Sequence, residues 1–171
     1  MLVTMKREVF DNLDHEELGK ACIGPTLALV MGKDITTKAQ VYSALTSGQQ
    51  ALFMFHVMHG HIHSAAELYG FSYYFITELK ALTAIKLGLL RFEDEAMHQL
   101  YTDLEAIMIT KNRLQNGSWR EATVMDLDHD HQLLDAFTEL YNRYQELAPQ
   151  SLQRISFYIQ NHPQEFVQID N

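Results

Sequence analysis

Four histidines lie within the eight-residue segment 56–63, HVMHGHIH. Three of them, His56, His59 and His63, have the spacing i, i+3, i+7, and Glu67 extends the series to i+11. On one continuous helix these positions form a single stripe. Imidazole is the commonest protein metal ligand, and it changes charge near neutral pH. The spacing therefore indicates a metal site, a pH-sensitive surface or the polar face of an ordinary helix.

A metal site on this stripe needs ligands from a second helix, because one helix easily supplies only two converging side chains. The same spacing recurs in Asp128, His131, Asp135 and Glu139. If the two helices faced each other, they could hold Zn²⁺ or Fe/Mn between carboxylates and imidazoles. The predicted ligand set is His56, His59, His63, Glu67, His131 and Asp135. The alternative is that both stripes are polar helix faces, since any helix with a polar face shows this spacing.

Acidic residues are concentrated in two stretches without lysine or arginine. The formal net charge is −9, and segments 92–110 and 121–142 contain 11 of the 22 acids. Such stretches can form an acidic surface that attracts a basic protein, whereas direct nucleic-acid binding is disfavoured. The alternative is a pair of solvated helix faces that aid solubility. The predicted acidic interaction surface comprises Glu93, Asp94, Glu95, Asp103, Glu105, Asp128, Asp130, Asp135 and Glu139.

Motifs for other chemistry are missing from the sequence. It contains no Gly-rich phosphate loop and no Gly-x-Ser-x-Gly nucleophile motif. Cys22 is the single cysteine and lies among apolar residues, so we expect a small buried hydrophobe in a reducing compartment. No apolar run reaches the roughly 20 residues of a membrane span, and the N-terminus does not resemble a signal peptide. We therefore expect a cytoplasmic protein without membrane contact.

The elements that carry these residues are predicted to be helices. Apolar spacings of three and four residues recur between turn signals, and we find no β-strand alternation. Gly24-Pro25, Gly70, Asn116-Gly117 and Pro149 are expected to end helices. The pattern predicts an all-α, antiparallel bundle of about five to seven helices in a single domain, 1–171. The predicted helices are 12–21, a short turn at 26–31, one from residue 34 or 36 to 45, and then 49–69, 71–90, 93–114, one from residue 126 or 128 to 147, and 151–161.

Two groups of residues resemble a known family. The first comprises Tyr42, Leu45, Thr46, Gln49, Leu52, Glu67-Leu68 and Gly70-Phe71-x-x-Tyr74-Phe75, and the second comprises Asp135, Phe137, Tyr141, Tyr158-Ile159, His162-Pro163 and Phe166. Together they resemble the helical bacterial family that includes a dimeric DNA-mimic protein. That family usually carries Glu-Val-Asn-Asn-Gly-Gly-Phe after its long helix, where this chain has the shorter Glu67-Leu68-Tyr69-Gly70-Phe71. The resemblance implies an all-helical fold, a homodimer and an acidic surface that imitates DNA phosphates.

The sequence leaves three functions open. The first is a non-enzymatic interaction protein that binds a protein partner and imitates DNA towards it. The second is a metal-binding bundle, such as a metal-dependent hydrolase or transferase, that uses the histidine stripe. The third is a structural or regulatory protein in which both features are incidental.

Overall fold

Helices account for most of the chain in the computed structural model, which describes residues 2–170. The described part is 74% helical, so the all-α prediction is confirmed. Its helices outnumber the predicted five to seven. Two short helices, 7–12 and 124–129, are added, the predicted helices 49–69 and 71–90 are replaced by three, and the last two predicted helices join into one. The elements are β1 Val3–Lys6, α1 Arg7–Asn12, α2 His15–Val30, α3 Ile35–Ser43, α4 Ser47–His59, α5 Ala65–Thr77, α6 Leu82–Arg91, α7 Glu95–Asn112, α8 Val124–His129, α9 His131–Asn161 and β2 Val167–Asp170.

Two predicted helix ends at prolines are wrong. Helix α2 continues through Pro25, and α9, which is 31 residues long, continues through Pro149. Proline inside a helix costs about 3 kcal/mol because it removes a backbone hydrogen bond. Packing offsets that cost, since α2 and α9 pack against each other and bury apolar side chains on both sides of each proline.

The predicted continuous helices 49–69 and 71–90 are also wrong, and each is divided in the structure. The predicted helix end at Gly70 is wrong as well, because α5 continues through it. Helix α4 ends at His59, and Ser64 begins α5 by accepting a hydrogen bond from the Glu67 amide at 3.1 Å. The pattern Ser64-x-x-Glu67 is a helix-start signal. Helix α5 ends at Thr77 before Lys80, whose φ of 50° is left-handed. Of the two predicted starts at residues 34 and 36, Asp34 is the one that caps the helix, and Thr46 rather than Ser47 caps α4.

A short parallel sheet contradicts the expectation that the chain has no strands. Strand β1 pairs with β2 in the register Val3↔Val167 to Lys6↔Asp170. Met5 and Val167 are buried, whereas Thr4 and Gln168 are exposed. Four residues give too short an alternation to detect in a sequence, and the pairing joins segments from opposite ends of the chain.

Helix α4 lies at the centre of the core. It packs against α2 and α6. Gly88 allows α6 to approach α4 closely, since a Cβ at Gly88 would lie only 3.1 Å from the Ala51 Cβ. Helix α9 packs against α2, α5 and α7 and so closes the other side. In the described part of the chain, no helix has both the length and the apolar character that crossing a membrane requires.

Candidate functional site

The histidine stripe is divided between two helices and their connection. His56 and His59 lie in the last turns of α4, His63 lies in the connection, and Glu67 lies in the first turn of α5. Glu67 Oε2 accepts a hydrogen bond from the His63 amide at 2.7 Å. The carboxylate therefore supports the start of α5, and the interpretation of one continuous stripe is wrong.

His56 is a buried imidazole. Its side chain is 8% exposed, and its Nε2 atom has no hydrogen-bond partner among the described residues. A Cβ on Gly19 of α2 would lie only 2.9 Å from this nitrogen, so the glycine makes room for the ring. Burial, together with the nearby His59, lowers the pKa of His56 to about 4. The ring is therefore neutral at pH 7.

His59 connects α4 with α9. Its Nδ1 atom is hydrogen-bonded to the Tyr144 hydroxyl at 2.5 Å, and its ring stacks on Phe55 with centroids 5.5 Å apart. Burial lowers the pKa of His59, and nearby Glu16 partly opposes this shift. Burial raises the pKa of Tyr144, so its hydroxyl keeps its proton at neutral pH. These contacts make His59 a structural link between two core helices.

The other two predicted metal ligands lie on exposed parts of α9. His131 and Asp135 are exposed in its first turns. Among residues 2–170, no group of three or more His, Cys, Asp or Glu side chains is placed to hold a metal ion. Binding of Zn²⁺ or Fe/Mn by the predicted set stays a prediction, now without the single-helix stripe that suggested it.

The predicted acidic surface divides into buried, paired and exposed carboxylates. Asp94 is 3% exposed and caps α7 by accepting a hydrogen bond from the Met97 amide, so it contributes nothing to an exposed surface. Three others pair with bases from outside the two acidic stretches: Asp103 with Arg143 at 2.9 Å, Glu105 with Lys86 at 2.6 Å, and Asp130 with Lys111 at 2.7 Å. The remaining five are exposed: Glu93, Glu95, Asp128, Asp135 and Glu139.

Helices α7 and α9 bring the two acidic stretches together in an antiparallel pair. Lys111 contacts Asp130 at one end, and Asp103 contacts Arg143 near the middle. At the other end, an Arg154 guanidinium nitrogen donates a hydrogen bond to the Glu93 carbonyl at 3.2 Å. Because residue numbers rise along one helix as they fall along the other, the second half of the first stretch lies beside the second stretch, and its first half lies beside the part of α9 that follows Arg143.

Several carboxylates project from the solvent side of this pair. Successive residues of α9 are rotated by about 100° around the helix axis. On this basis Asp135, Glu139 and Glu146 lie within roughly 80° of Arg143, on the side of the helix that faces away from the core. By the same geometry, Glu95 lies within roughly 80° of Asp103 around the axis of α7, and it also faces away from the core. We call Glu95, Asp103, Asp135, Glu139 and Glu146 the acidic face, and Arg143 is the base that lies among them. All but the half-exposed Asp103 are exposed.

A buried polar network that the sequence analysis missed holds α8 against the bundle. The Asn112 amide donates to the Tyr69 hydroxyl at 2.9 Å, and that hydroxyl donates to Asp126 at 3.0 Å. Asp126 also pairs with Arg120 at 2.7 Å. The sequence shows part of this network, because Thr123-x-x-Asp126 is a capping pattern at the start of α8. The partners Tyr69 and Asn112 are distant in the chain, so sequence spacing does not reveal them.

Cys22 is a fully buried thiol. Burial raises its pKa to about 12, so the thiol is protonated at neutral pH. This agrees with the predicted role of a small core residue.

Fold and site together describe an all-α protein with an antiparallel, acidic helix pair and a buried histidine between α4 and α2. Comparisons with protein-family models, with curated proteins and with solved structures give no match. The resemblance to the DNA-mimic family stays a prediction.

Proposed function

We propose that this protein is a non-enzymatic interaction protein that binds a basic partner through the acidic face. The observation that supports this proposal is the antiparallel packing of α7 and α9, which lines up carboxylates from both acidic stretches on one solvent side. Charges arranged in this way raise the rate at which a basic partner is encountered, and they orient that partner as it approaches. The partner class that we favour is a DNA-binding protein, whose basic surface is adapted to phosphates.

Charge density limits how closely one acidic face can imitate DNA. From Asp135 to the level of Glu95, the face extends over roughly 24 Å at 1.5 Å rise per residue. A DNA duplex carries one charge per 1.7 Å, or about 14 charges over that length. Arg143 pairs with Asp103, so the five carboxylates leave a net charge of −4, which is about three tenths of the duplex density. A homodimer that placed two acidic faces side by side would supply about six tenths, and we propose this dimer as the DNA-mimicking form.

A competition assay tests the proposal. A sequence-nonspecific bacterial DNA-binding protein is loaded with a fluorescent 20-base-pair duplex, and this protein is added across a salt series. We expect release of the duplex at low salt and a steep loss of competition as salt rises, because screening weakens exposed charge pairs. Absence of competition, or competition that is insensitive to salt, contradicts the proposal.

A charge-matched pair of triple variants locates the surface. Asp135→Asn with Glu139→Gln and Glu146→Gln removes three charges from the acidic face, and we expect competition to weaken by about tenfold or more. The control, Glu8→Gln with Asp11→Asn and Glu17→Gln, removes three exposed charges from α1 and α2. Equal losses in both variants would mean that only net charge matters.

A further inference from the structure

An apolar groove lies between α5 and the start of α8. It encloses about 380 Å³ and is lined by Ala66, Glu67, Gly70, Phe71, Tyr74 and Val124. Tyr74 is 42% exposed and Val124 is 60% exposed, and the adjacent Met125 is 65% exposed. Neighbouring apolar side chains with this exposure are typical of a binding surface.

Gly70 opens the middle of this groove. A Cβ built there would meet no neighbouring side chain or other element of the described chain within 4 Å. By contrast, Gly19, Gly48 and Gly88 each make room for a side chain or helix that packs against them. Glycine inside a helix costs about 1 kcal/mol relative to alanine. At Gly70 that cost accompanies no internal contact, and its effect is to keep the groove deep.

The rim of the groove is acidic. Glu67 lines the groove. The two segments that supply its lining, 65–78 and 121–129, contain no lysine or arginine and carry five acids: Glu67, Glu78, Glu121, Asp126 and Asp128. At about 100° per residue, Glu78 lies roughly 80° from Gly70 around α5, and Asp128 lies roughly 40° from Val124 around α8, so both face the side of the groove. Asp126 pairs with Arg120, which adjoins the second segment. Glu67 and Glu78 lie at opposite ends of α5.

We propose that this groove binds an amphipathic helix of a partner protein that carries lysine or arginine beside its apolar stripe. Apolar side chains at i, i+3, i+4 and i+7 would enter the space between Phe71, Tyr74 and Val124. The basic side chains would lie against the acidic rim and fix the register of the helix. This surface is separate from the acidic face, and the two proposals stand or fall independently.

Charge complementarity favours such a helix over a second copy of this chain. The chain has a net charge of −9, and its strongly amphipathic helix α9 already buries its apolar face in the core. A second copy seated in the groove would bring a further acidic surface into direct contact with an acidic rim, where like charges oppose association; a dimer formed through another surface is not affected.

Peptide binding measured by fluorescence anisotropy tests the proposal. One helical peptide carries leucine at i, i+3, i+4 and i+7 with lysine elsewhere, and the other carries glutamate in place of lysine. We expect the lysine peptide to bind at least about tenfold more tightly at low salt. Gly70→Trp places an indole in the groove, starting from a Cβ position that meets nothing within 4 Å, and should weaken binding about tenfold or more. Ala39→Trp, an exposed change on α3, should leave binding unchanged.

Further measurements separate the possible outcomes. Gly70→Ala should raise the melting temperature, which shows that position 70 tolerates a side chain. The triple variant of the acidic face should bind the lysine peptide as tightly as the natural chain does. A loss of affinity in that variant would mean that the peptide binds the acidic face and not the groove. Equal affinity for both peptides, undiminished binding by Gly70→Trp, or a dimer that Gly70→Trp dissociates in sedimentation would each overturn the proposal. The last outcome would identify a second copy as the occupant.

Discussion

His56 shows how burial changes the role of a residue that looks suited to chemistry. In sequence it belongs to a histidine-rich segment, and in the structure it packs against Gly19, with no hydrogen-bond partner for Nε2 within residues 2–170. Residue type and spacing indicated a metal site, which stays a prediction, a pH-sensitive surface or an ordinary polar face. The protein instead holds a neutral imidazole in its core, because charging it would require solvation that the site does not offer.

Acid should therefore destabilise the fold through His56. The pKa is about 4 in the folded protein and near 6.5 in the unfolded chain. Between these values the unfolded chain binds the proton and the folded protein does not, so the free energy of unfolding decreases as pH falls. We expect a loss of about 2–3 kcal/mol between pH 7 and pH 4.5 from this group, measured by urea denaturation.

Two variants isolate this contribution. In His56→Gln the side chain cannot be charged, so the variant should lose less stability over the same pH range than the natural chain. His129→Gln changes an exposed histidine and should retain the full pH dependence. The interpretation fails if His56→Gln and the natural chain show parallel pH profiles.

Among the secondary-structure elements, capping groups decide where helices end more reliably than proline does. Helix α6 ends in a Schellman motif, with the Glu93 amide bonded to the Leu90 carbonyl at 3.0 Å and the Asp94 amide bonded to the Leu89 carbonyl at 2.9 Å. Glu93 holds the left-handed position of this motif, with a φ of 55°. Glycine is the usual residue there because any Cβ is strained in that conformation.

Glu93→Gly should therefore stabilise the protein. We expect a gain of about 0.5–1 kcal/mol in the free energy of unfolding, from relief of left-handed strain. Glu95→Gly is the matched control two residues later, within the first turn of α7, where glycine should cost about 1 kcal/mol. Urea denaturation of both variants gives the comparison, and destabilisation by Glu93→Gly would contradict the assigned strain.

Over the whole molecule, the strands β1 and β2 join the two ends of the described chain. Met5 is 8% exposed and Val167 is 3% exposed, so the ladder seals one side of the core. Two strands of four residues are too short to be stable alone. Their pairing depends on the helices, which bring segments more than 160 residues apart into register.

Met5→Ala should measure what this sheet contributes. We expect a loss of about 2–3 kcal/mol, from lost apolar burial and a cavity beside β2. Thr4→Ala changes an exposed residue of the same strand and should cost less than about 0.5 kcal/mol. Similar thermal and urea stability for Met5→Ala and the natural chain would show that the ladder is not coupled to the core.

The sequence by itself determined the helical class, the caps of α3 and α4 to within two candidate residues each, and the buried state of Cys22. These features depend on residue type and on neighbours within a few positions, which a sequence displays directly. Tertiary structure decided that α2 and α9 continue through Pro25 and Pro149, because packing energy from distant residues exceeds the local cost of proline.

The acidic stretches and the histidine segment divide in the same way. The absence of bases from 92–110 and 121–142 was visible in the sequence. Only the fold brought Lys86, Lys111 and Arg143 onto acids in those stretches, and only the fold separated His59 from Glu67. Charge pairing and ligand convergence depend on distances through space, whereas sequence spacing predicts such distances only within one unbroken element.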